Sequence, residues 1–110
     1  MSRHTDETAF ADILEAARLT LSFVAGKSKE EFLGDVQCQD AVIRRITIVG
    51  EASRRLSEEA RAAHPDIPWR QIIGMRNLVV HVYDSVDLLI VWETATIFLP
   101  ELIGKLEKRS

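Results

Sequence analysis

The stretch Met75 to Asp84, MRNLVVHVYD, sets an arginine, an asparagine, a histidine and a tyrosine among valines and leucines. These residue types suit phosphodiester cleavage that needs neither a metal nor an organic cofactor. A histidine with a pKa near neutrality takes a proton from a 2′-hydroxyl or returns one to a leaving oxygen. An arginine neutralises charge developing on the phosphoryl oxygens. Asparagine orients by hydrogen bonds, and tyrosine does the same or stacks on a base.

Spacing limits how these groups meet. On a helix advancing about 100° per residue, Asn77 and His81 are four apart and share one face, while Arg76 and Tyr83, seven apart, share another. Arg76 and His81 are separated by about 140° around the axis and do not converge on one ideal helix. Either the helix loosens near its end, where Asp84 and Ser85 signal a turn, or a second copy completes the site across a two-fold axis. Taken singly, each residue also has a structural explanation. His81 fits a satisfied histidine on an apolar helix, Arg76 fits a pair with an acid such as Glu51, and Tyr83 fits a core aromatic with a wet hydroxyl. Spacing alone leaves the two explanations balanced.

The rest of the chain reads as helices that position this stretch. Thr5 followed by acids starts a first helix whose stripe runs Phe10, Ile13, Leu14, Ala17, Leu21 and Val24, with Gly26 as its stop. Ser28 caps a short piece with Glu31 at the capping-box position. Val42, Ile46, Val49, Ser53 and Leu56 form the stripe of a second main helix over 36–56, in which Gly50 and Ala52 permit close approach of a neighbour. Ser57 caps one further turn. HPDIPW breaks the chain, with Pro68 expected at the first position of the third main helix, which carries the motif. A turn at Asp84, Ser85 and Asp87 precedes a fourth over 85–106, bent or restarted at Pro100. No segment alternates as a strand does. The expected fold is all-α, an antiparallel bundle of four to five helices.

At 110 residues the chain suffices for one hydrophobic core, and without an internal linker it reads as one domain over 1–110. Aromatic residues make up 6% of the chain, so an aliphatic core is expected. The net charge of -3 argues against binding nucleic acid through an overall field. Residues 41–80 are the exception, with four acids against Arg44, Arg45, Arg54, Arg55, Arg61, Arg70 and Arg76. Guanidinium is the better fork for phosphate, although a solvated helix face explains the first six at least as well. Cys38 is the only cysteine, which favours a reducing compartment, and the cytoplasm is expected. With no cationic neighbour in sequence, Cys38 reads as inert. MSRHTDET lacks the apolar run of a signal peptide, and Glu93, two threonines and Pro100 interrupt the long apolar stretch after Asp87, so no membrane span is expected.

The string RNLVVHVY, with IVGEASRRLS, HPDIPWRQIIGMRN and VDLLIVWETATIFLPEL in the same order over about 36–103, resembles the HEPN-domain ribonucleases, in particular the HepT-like toxins. A bare RxxxxH is weak; the full string in this context is specific. The resemblance implies a homodimer whose two motif copies line one cleft. It also implies metal-independent endoribonuclease activity that leaves a 2′,3′-cyclic phosphate. Arg76 and His81 match the catalytic pair, Asn77 the polar residue that positions RNA, and Tyr83 the motif tyrosine. In similar systems the partner is a minimal nucleotidyltransferase antitoxin that attaches AMP to that tyrosine. An alternative is a non-catalytic HEPN module that partners such a nucleotidyltransferase. The intact Arg76 and His81 favour the enzyme, and the overall acidity favours the module.

Overall fold

The computed structural model describes the backbone of residues 3–80 and 87–108 and the side chains of residues 5–75 and 87–108. Every regular element among them is helical. Helix α1 spans Arg3–Val24, α2 Lys29–Leu33, α3 Val36–Arg54, α4 Glu58–Ala62, α5 Trp69–Val80, α6 Leu88–Glu93 and α7 Leu99–Glu107. A π-helical turn, Thr94–Phe98, joins α6 to α7.

Local hydrogen bonds set most boundaries. α1 ends where Gly26 takes φ +75°, a conformation open to glycine without strain. Ser28 and Glu31 form a reciprocal capping box: the Glu31 N–H donates to Ser28 Oγ at 3.1 Å, and the Ser28 N–H donates to Glu31 Oε1 at 2.8 Å. Asp35 accepts from the Cys38 N–H at 3.0 Å and starts α3, while Ser57 accepts from the Ala60 N–H at 3.1 Å and starts α4. The Pro68 carbonyl accepts the first bond of α5, from the Ile72 N–H at 3.1 Å. Pro68 therefore stands just outside the helix, one residue short of the expected first helical position.

The fourth main helix starts later than expected. Asp87 caps it, accepting from the N–H groups of Leu89 at 3.1 Å and Ile90 at 3.4 Å, so its helical residues begin at Leu88 and not at 85. The turn expected at Asp84 and Ser85 lies outside the described residues. As expected, an α-helix restarts beside Pro100: α7 begins at Leu99 with the proline in its first turn. In a regular α-helix the proline ring would press on the Thr96 carbonyl. The π turn just before it widens the coil, and the Leu99 N–H reaches back to the Thr94 carbonyl.

Contacts at the two ends establish the antiparallel order. At one end, Asp6 near the start of α1 accepts from the Ser57 N–H at 2.9 Å and the Ser57 hydroxyl at 2.8 Å. There too, the Phe10 ring meets those of His64 and Trp69 edge-on, and Lys105 Nζ donates to the Asp66 carbonyl at 2.8 Å. At the other end, Lys27 pairs with Asp35 at 3.4 Å, and Phe32 packs on Trp92 with ring centroids 5.3 Å apart. Helices α1, α3, α5 and the α6–α7 unit thus alternate in direction, with α3 packed against both α1 and α5. Gly50 and Ala52 are buried on α3, in keeping with their small size.

One cluster of buried side chains joins these helices, including Ile13, Val42, Ile46, Val49, Ile72, Val91, Leu99 and Leu106. The expectation of an aliphatic core holds for its middle and fails at its ends. Phe10 and Trp69 are buried at one end and Phe32 at the other, with Trp92 packed against the cluster.

Candidate functional site

Helix α5 carries the candidate site, and its first turn is anchored firmly. Ile67, Trp69, Ile72 and Met75 are buried, which is close to a three-to-four-residue spacing. Trp69 Nε1 donates to the Arg61 carbonyl at 3.0 Å, so one ring both fills the core and satisfies a terminal carbonyl of α4. From that anchor α5 runs away from the end occupied by Phe10 and His64. The last turns of α5 hold Arg76 and Asn77.

The helical backbone places Arg76 and Asn77 next to each other, in different registers. Position 76 follows Trp69 by seven residues and Ile72 by four, the register of the buried stripe; position 77 follows the exposed Arg70 by seven. This agrees with the helical-wheel expectation that Arg76 and Asn77 belong to different faces. His81 and Tyr83 lie outside the described residues, as do the side chains of Arg76 and Asn77.

The arginine-rich segment resolves into members that pair and members that do not. Among Arg44, Arg45, Arg54, Arg55, Arg61 and Arg70, only Arg55 forms an ion pair with a described residue, Asp12 at 2.5 Å. Arg44, Arg54 and Arg70 are exposed. Arg54 and Arg55 border an open groove on α3 whose lining includes Ile48, Glu51 and Ala52. In the sequence, Arg70 counts as one basic residue of seven and is not marked as a site residue. The available signal is its seven-residue spacing from Asn77.

Electrostatics elsewhere serve the scaffold. Hydrogen bonds from the Ser57 N–H and then its hydroxyl hold the Asp6 carboxyl below the usual carboxylate range. The Ser28 N–H lowers Glu31, and the Cys38 N–H lowers Asp35. Burial pushes the Cys38 thiol up; Lys27 opposes this more weakly. Cys38 therefore does have a cationic neighbour, brought by folding from the turn after α1, yet desolvation outweighs it and favours the thiol. Among the described residues, no three His, Cys, Asp or Glu side chains gather as a metal site would require. No described helix is long and apolar enough to cross a membrane.

The described elements, all helical, form the all-α bundle of a HEPN fold. A family model described as "Ribonuclease HepT-like" matches residues 13–109. The chain is 41% identical over 97 residues to "Probable ribonuclease HepT" of Thermococcus cleftensis, a match that covers 88% of each chain. It is 31% identical over 107 residues to "Putative RNase MJ1380" of Methanocaldococcus jannaschii, covering 97% of this chain and 98% of that one. No solved structure matches the chain significantly. The chain belongs to the HepT-like ribonuclease family.

Proposed function

We propose that this chain, a single domain over 1–110, is the endoribonuclease toxin of a two-gene toxin–antitoxin pair. It cuts RNA without metal by attack of a 2′-hydroxyl on the adjacent phosphate, leaving a 2′,3′-cyclic phosphate and a 5′-hydroxyl. His81 transfers the proton, Arg76 stabilises the charge on the phosphoryl oxygens, and Asn77 positions the strand. The observation that carries this reading is the intact string RNLVVHVY in a chain of the HepT-like ribonuclease family. A non-catalytic module has no need of both Arg76 and His81.

Because Arg76 and His81 are about 140° apart on an ideal helix, the working site is composite. A homodimer brings two motif copies to one cleft, each supplying groups the other lacks. A minimal nucleotidyltransferase antitoxin attaches AMP to Tyr83, and the added phosphate occupies the arginine and blocks the cleft. A cytoplasmic location follows from the RNA substrate.

The test is RNA cleavage in EDTA. Wild-type protein is expected to cut, whereas Arg76→Ala and His81→Ala each lose roughly a hundredfold or more in rate, the usual scale for one proton-transfer or charge-stabilising group. Mutants as active as wild type would reject the site. Mass spectrometry after incubation with the nucleotidyltransferase and ATP is expected to find AMP on the wild type and none on Tyr83→Phe.

A further inference from the structure

We propose that the outward face of α5 formed by Arg70 and Gly74 is the track along which single-stranded RNA enters the site, with the Arg70 guanidinium holding a phosphate other than the scissile one. This rests on the ribonuclease reading above and adds a positioning residue to it.

Three observations carry the inference. Arg70 is exposed, and its guanidinium has no hydrogen-bond or ion-pair partner among the described residues. Arg18 and Arg55 are, by contrast, neutralised by Glu107 and Asp12. One turn beyond Arg70 stands Gly74, where an added Cβ would meet no described atom within 4 Å. Glycine inside a helix is unfavourable relative to alanine, and no described neighbour makes use of the missing side chain. Close approach of a ligand backbone does make use of it. Positions 70, 74 and 77 then recur at helical spacing, so Arg70 and the motif asparagine lie on one face, about 10 Å apart along the axis.

Charge complementarity selects the occupant. A planar, permanently charged fork matches phosphate oxygens, and the missing side chain at Gly74 lets a sugar–phosphate chain lie close to the helix there. In a chain of net charge -3, RNA must be held by such local cations and not by a general field.

The experiment compares a dinucleotide containing only the scissile phosphate with a longer single-stranded oligonucleotide, using the full chain. Arg70→Ala is expected to raise KM for the longer substrate roughly five- to tenfold, the scale of one solvent-exposed hydrogen bond. Its kcat and its kinetics on the dinucleotide stay unchanged. In a His81→Ala background, which binds without cutting, Arg70→Ala lowers the slope of log affinity against log salt by about 0.7, one phosphate's worth on a single strand. Arg70→Lys keeps that slope, and Gly74→Leu impairs only the longer substrate. Identical KM and salt slope in a preparation whose wild type cuts both substrates would overturn the inference and leave the ribonuclease reading standing. A wild type that cuts neither removes the reading itself. A change of oligomeric state in Gly74→Leu, with RNA kinetics intact, would assign this face to a protein contact and overturn the track.

Discussion

Helices α1 and α5 each bury one apolar stripe but treat their polar side chains differently. On α1, Asp6 accepts two hydrogen bonds from Ser57, Asp12 pairs with Arg55, Arg18 pairs with Glu107, and the buried Thr20 hydroxyl donates to the Ala16 carbonyl at 2.9 Å. On α5, Arg70 and Gln71 are exposed, and their side chains have no partner among the described residues. Asp6, Asp12 and Arg18 of α1 hold other elements in place, while α5 is held by its apolar stripe and by Trp69. Among the described residues, α5 thus commits fewer of its polar side chains to other elements than α1 does.

The largest expected effects fall where the two helices are alike. Ile13→Ala on α1 and Ile72→Ala on α5 each remove a fully buried side chain. Each should cost about 2–5 kcal/mol, read from denaturant midpoints. If Ile72→Ala cost far less than Ile13→Ala, α5 would be packed more loosely than the structure shows.

A smaller effect separates the helices. Ser57→Ala removes the cap of α4 and the hydroxyl bond to Asp6, and should cost about 1 kcal/mol. The same link predicts acid sensitivity. The folded-state pKa of Asp6 is depressed, so its contribution is present above the carboxyl's unfolded pKa and fades as pH falls through the folded value. Glu31 and Asp35 act in the same direction, so stability should decline below about pH 4. Asp6→Asn should flatten part of that decline; an unchanged acid limb would mean the α1–α4 link contributes nothing. The smallest effect belongs to α5: Arg70→Ala should alter thermal stability by no more than about 0.5 kcal/mol, as for an exposed residue uncommitted to its neighbours. A larger loss would show that Arg70 is committed to the fold after all.

Much of the fold was legible because its signals are local. Ser28 with Glu31, and Ser57, each cap a helix by bonding an N–H three residues away, and Gly26 ends α1 in a conformation that favours it, whereas Asp87, expected in a turn, caps α6. The π turn before Pro100 was not legible. A proline announces a broken hydrogen bond but not how the coil absorbs it; here it widens while Ala95 and Leu99 stay buried. The motif was legible as a string, and helical periodicity alone suffices to assign Arg76 and Asn77 to different faces.

Sequence by itself therefore determined the all-helical order, the caps at Ser28 and Ser57, the motif and the place of Arg76 and Asn77 on the third main helix, since each depends on residues within a turn or two of one another. Tertiary structure decided the rest. It buried Phe32 against Trp92, tied Asp6 to Ser57, brought Lys27 near Cys38 while desolvating the thiol, and neutralised Arg55 and Arg18 while leaving Arg70 exposed. Burial and ion pairing depend on which distant segments come together, and that follows from packing the whole bundle.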